Sequence, residues 1–132
     1  MYRFVDRPVS DLGKGGQLAI WAARSWIGAM GERKCPATVI APAFATLGAL
    51  PALQPFLKVM NLFNRHGLET FHFCALACNH VSEHEAIILT LFDTPDVERC
   101  AFSRATLDLL IEAEVINALI EAVRQVTVAL GH

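Results

Sequence analysis

SEHEAIILTLF, residues 82 to 92, opens on Ser82 and carries Glu85 three positions later. The pair is a capping box, in which the serine hydroxyl accepts from the amide of the third helical residue and the glutamate reaches back to the Ser82 amide. Ile87, Ile88, Leu91 and Phe92 then recur at helical spacing, and Asp93, Thr94 and Pro95 supply the stop. A helix whose start and end are both written in its own residues sets the pattern for the chain.

Toward the N-terminus the same periodicity recurs. Ser10 or Asp11 can cap a first helix that runs to about Gly31. Its wheel gathers Leu18, Ala19, Ala22, Ala23, Trp26, Ala29 and Met30 on one side, against Lys14, Gln17, Arg24, Ser25 and Gly28 on the other. Trp21 falls on the polar side, where a large aromatic meets a partner or folds over the Arg24 stem, so Trp21 and Arg24 are the candidate interface residues. A second helix follows Pro36 with Val39, Ile40, Phe44 and Leu47, kinked at Pro42. A third runs from near Pro55 to Gly67 with Phe56, Leu57, Met60 and Phe63 inward.

Toward the C-terminus a helical stretch spans about Ser103 to Leu130. Its phase shifts near Glu112 to Glu114, which predicts either a break there or a middle covered on both sides. Thr70 to Cys78, TFHFCALAC, is the one place where alternation competes, so a short extended segment fits residues 70–78. It has no second strand to pair with. The expected fold is therefore all-α, a compact bundle of five to six helices, with residues 1–132 forming a single domain.

Hydrophobic residues make up 54% and charged residues 18% of the 132-residue chain, more apolar and less charged than an ordinary domain. A monomer leaves part of that surface uncovered, so self-association as a homodimer, or a protein partner, is expected. Residues 1–65 carry eight Lys or Arg against three Asp or Glu, whereas residues 66–132 carry three against ten. That division suits halves that attract one another, within a chain or head to tail, better than it suits nucleic acid. Cys35 to Leu57 is uncharged for 23 residues, the length of a membrane span, but Pro36, Pro42, Pro51 and Pro55 interrupt it, and a kinked buried helix with a turn is the better account. MYRFVDRPVSDLGKGG offers no continuous apolar stretch for export, so a cytoplasmic protein with reduced cysteines is expected.

Chemistry concentrates in residues 72–85. His72, Cys74, Cys78, His80, His84 and Glu85 lie there, half of the cysteines and three of the five histidines. Cys74, Cys78, His80 and His84, in the order C-x3-C-x-H-x3-H, could supply the Cys2His2 set that tetrahedral zinc accepts. One residue separates the two pairs where a zinc finger has about a dozen, so a single cage requires a tight loop at Asn79. Taken singly, each residue has a plainer account: Cys74 and Cys78 as small hydrophobes, Glu85 as a cap, His84 against the core and His80 in a turn. Cys78 beside His80 or His84 is the pair that nucleophilic catalysis would use. No oxyanion loop, phosphate cradle or paired carboxylates accompany it, the GKGG at Lys14 lacks the GK[ST] ending, and the balance points away from an enzyme.

VSEHEAIILTLF resembles, over about twelve residues, the opening of the helix-turn-helix output domain of response regulators. The resemblance implies a basic recognition helix downstream. Arg99 and Arg104 stand there amid Asp96, Glu98, Asp108 and Glu112, a poor surface for phosphates, and no nucleic-acid partner is expected. The expectation is a helical protein that acts by association, with zinc binding at residues 74–84 as its alternative and a thiol enzyme third.

Overall fold

The computed structural model describes residues 8–67, 73, 76, 78–93 and 104–129, the side chains of 93 and 104–106 excepted. Among these residues are six α-helices and no strand, so the all-α class is observed. The helices are α1 (Lys14–Gly31), α2 (Pro36–Thr46), α3 (Leu53–His66), α4 (Glu83–Asp93), α5 (Arg104–Leu110) and α6 (Ile116–Ala129), with 3-10 turns at Val9–Asp11, Leu50–Ala52 and Ala113–Val115. None of them is long and apolar enough to cross a membrane. Much of the segment where alternation predicts an extended run, Thr70 to Cys78, lies outside the described residues. Chain contacts gather into two compact units, one of Met1–Gly48 with His72–Thr90 and one of Ala49–Phe71 with Leu91–His132.

In the first unit α1 packs against α2, which contributes Ile40 and Phe44 as its buried side chains. Trp26 is buried, as its place on the wheel predicts. Three other positions depart from that wheel. Arg24 and Ser25 are buried and Met30 is exposed, because the middle of α1, from Leu18 to Trp26, is enclosed on more than one side and a single apolar stripe does not describe it. Packing is also close just before it, at Gly16: a Cβ there would stand 3.3 Å from Leu12 Cβ and 3.7 Å from Leu89 Cδ2. Neither Ser10 nor Asp11 caps α1; both lie in the 3-10 turn, and Gly13 is the cap residue. The Val9 amide donates to the Asn79 carbonyl at 3.0 Å and the Ser10 amide to Asn79 Oδ1 at 3.2 Å, which ties this turn to the segment before α4.

The second unit is built on α3 against α6. Leu53, Phe56, Val59, Met60 and Phe63 fall on one side of α3, and Ile116, Leu119, Ala122, Val123 and Val126 on one side of α6, both at i, i+3, i+4 spacing. The Phe56 and Phe92 rings meet tilted, with centroids 6.3 Å apart. The phase shift near Glu112 is a break: α5 ends at Leu110, Glu112 is extended, and a 3-10 turn leads into α6. The Glu112 amide donates to the His66 carbonyl at 3.0 Å, and Gly67 and Ile111 form an isolated antiparallel bridge.

Candidate functional site

The capping box of α4 forms as read, with the Ser82 amide donating to Glu85 Oε1 at 2.9 Å and the Glu85 amide to Ser82 Oγ at 3.3 Å. Glu85 has a second task. Its carboxylate also receives Arg24, Nε on Oε2 at 2.7 Å and Nη2 on Oε1 at 3.0 Å. This is a bidentate, charge-assisted pair between groups 5% and 0% exposed. The same guanidinium donates through Nη1 to the Cys78 carbonyl at 2.6 Å and through Nη2 to the His80 carbonyl at 2.9 Å. One buried cation thus fastens α1 to the start of α4 and to the backbone of Cys78–His80. Such a fork needs arginine, since four oxygens are served here from one planar group and a lysine ammonium has only three donors.

That clamp fixes where the cysteine and histidine segment lies. Cys78 is half-buried, with Sγ 3.7 Å from the His80 carbonyl; His80 is exposed and bridges Pro8; His84 is half-buried in the first turn of α4. Cys74, the fourth member of the set, lies outside the described residues, as do His72 and Cys100. Among the described residues the three donors that converge, within 4.8 Å of one another, are His66, Glu112 and Glu114. Residue spacing does not find that group, because it joins residues 46 positions apart.

The two described thiols differ in setting. Cys35 is exposed at the N-terminus of α2, where its interactions with the Thr38 amide, the Thr38 hydroxyl and the Ala37 amide hold its pKa below the ordinary thiol value. Sequence reading favours Cys78 as the reactive thiol and passes over Cys35. The signal was the Cys-Pro pair at the helix start, with proline at the first helical position.

The outer side of α2 is unusual in another way. A surface helix carries charge opposite its apolar stripe, and α6 does so with Glu121 and Arg124. In α2 no residue is charged, yet Ile40 and Phe44 alone are buried. Thr38, Val39, Pro42, Ala45 and Thr46 face outward, followed by Leu47, which is 56% exposed. Toward the end of α1, Ile27 and Met30 are exposed as well. Trp21, the candidate interface aromatic, is 36% exposed, whereas Arg24, named with it, belongs to the clamp. No protein-family model, curated protein or solved structure matches the chain.

Proposed function

We propose that this protein acts by self-association, two copies meeting through the outer face of α2 and the exposed end of α1. The observation that carries the proposal is an 11-residue helix with no charged side chain and two buried ones. Water gains nothing from such a face, and removing it from water is favoured by roughly 25 cal/mol for each Å² of apolar surface. Small residues at Ala41 and Ala45 would let a facing helix approach closely. A second copy is the occupant argued for because an uncharged face offers nothing to steer a charged partner, while a face opposed to itself by a two-fold axis is self-complementary. A helix lying on lipid would carry cations along its rim. Here the neighbouring cations are Arg33 and Lys34, and Lys34 lies 3.7 Å from Glu32.

Light scattering of the full chain over a range of concentrations tests the proposal. The expected result is a dimer that becomes monomeric in Val39→Lys and in Ala45→Glu, both exposed positions, with the helical circular dichroism unchanged. A wild-type monomer at every concentration overturns it. So does a monomer that floats with neutral phosphatidylcholine vesicles, which would assign the face to lipid.

A further inference from the structure

We infer that His66, Glu112 and Glu114 form a binding site for a single divalent transition ion of the zinc class. The three side chains each offer one donor atom, all within 4.8 Å of one another. His66 is the last residue of α3, and the Glu112 amide holds its carbonyl at 3.0 Å, so the two backbones are fixed side by side. The 3-10 turn at Ala113–Val115 carries Glu114 round to the same place. Ile111 and Ile116 are both buried and anchor this turn at its two ends.

The spacing suits an ion better than a direct contact. His66 Nδ1 stands 3.6 Å from Glu112 Oε1, beyond an ordinary hydrogen bond. Around a tetrahedral ion with bonds of ~2.0–2.1 Å, neighbouring donors lie roughly 3.3 Å apart. His66 and Glu112 are half-buried and Glu114 is exposed, so the side chains have room to rotate toward a shared ion. The donor chemistry narrows the ion. Magnesium and calcium prefer oxygen throughout, and copper(I) prefers sulfur, whereas one imidazole with two carboxylates suits zinc and its divalent neighbours. Two carboxylates balance the double charge, and the C-terminal end of α3 adds its partial negative charge. Three protein donors leave a fourth position for water or an incoming ligand, as in an open zinc site.

Titration of the full-length, untagged, metal-free chain with zinc chloride by calorimetry tests the inference, with cobalt(II) absorption reporting the ligands. The expected result is one ion per chain, binding at least tenfold weaker in His66→Ala, Glu112→Gln and Glu114→Gln and unchanged in Cys78→Ser. Cobalt should show nitrogen and oxygen ligation without a thiolate charge-transfer band. Metal-free thermal melting confirms that each variant is folded; the glutamine changes keep side-chain shape at a half-buried and an exposed position. Equal affinity in wild type and both glutamine variants would reduce the cluster to an ion pair and overturn the site. Loss of binding in Cys78→Ser with retention in His66→Ala would move the ion to the thiol segment and overturn it equally.

Discussion

Arg24 is a charged side chain held nearly out of water on the helix that also buries Trp26. Buried ion pairs often lose as much in desolvation as they gain in attraction, and replacing both partners by apolar residues is then neutral or favourable. Here the surroundings decide against that outcome. Arg24→Met takes the guanidinium away from the buried Glu85 carboxylate and from the Cys78 and His80 carbonyls. The expected cost is ~3–5 kcal/mol, measured as a fall in the urea midpoint. Arg24→Met with Glu85→Met should recover only part of it, since the part-buried Cys78 and His80 carbonyls still lose a charged donor and the Ser82 amide loses its carboxylate. Full recovery in the double variant would show that the carbonyl bonds contribute little. Cys35 makes the other prediction at this scale. Its lowered pKa gives a larger thiolate fraction at neutral pH, and the midpoint of its alkylation profile should lie below that of an ordinary exposed cysteine. Peptide-resolved iodoacetamide labelling over a pH series reads this, and Thr38→Val should move the midpoint up by removing the hydroxyl.

Two helices of the first unit end on a residue of positive φ, an arginine in one and a glycine in the other, and the comparison bears on one energy. After α1 the Lys34 amide bonds the Ala29 carbonyl at 2.8 Å and the Arg33 amide the Met30 carbonyl at 3.2 Å, a Schellman closure that puts Arg33 at φ 59°. After α2 the corresponding left-handed position is Gly48, at φ 68°. A side chain in that region costs roughly 1–2 kcal/mol, against which glycine's greater unfolded freedom offsets a part. Arg33→Gly should therefore raise stability by about 0.5–1 kcal/mol and Gly48→Ala should lower it by a similar amount, both read by chemical denaturation. A Cβ at Gly48 meets nothing within 4 Å, so the second effect is one of backbone alone. At this scale much of the chain was readable in advance. The Ser82–Glu85 box, the α3 stripe through Phe56, Met60 and Phe63, with Leu57 only half-buried, and the phase shift near Glu112, open in sequence between a break and a doubly covered middle, are each encoded by residues within a few positions of one another. What escaped is encoded by none of its neighbours. Arg24 reads as solvated because a wheel knows one stripe, and it is the approach of Glu85, 61 residues away, and of the Cys78 and His80 carbonyls that makes its burial tolerable. His66 meets Glu112 and Glu114 across an intervening stretch that no spacing rule spans.

For the molecule as a whole, the arrangement of charge separates two ways of forming a dimer. Counted by sequence halves, the chain is strongly positive and then strongly negative, which favours head-to-tail attraction. The compact units divide it differently. Met1–Gly48 with His72–Thr90 holds six Lys or Arg against five Asp or Glu, and Ala49–Phe71 with Leu91–His132 holds five against eight. Folding thus interleaves the two halves and removes most of the imbalance, one positive charge net in the first unit and three negative in the second. What remains is weak beside an apolar face, given that a buried aliphatic side chain contributes ~1.5–3 kcal/mol and an exposed ion pair ~0–1. Salt distinguishes the two directly. Screening shortens from ~10 Å at 0.1 M to ~3 Å at 1 M, so a charge-driven dimer dissociates across that range. A dimer built on α2 should hold its dissociation constant, or tighten in sulfate, which strengthens apolar burial. Sedimentation velocity at low and high sodium chloride, and in sodium sulfate, measures it; dissociation on adding salt would transfer the association from the uncharged helix to the charged surfaces.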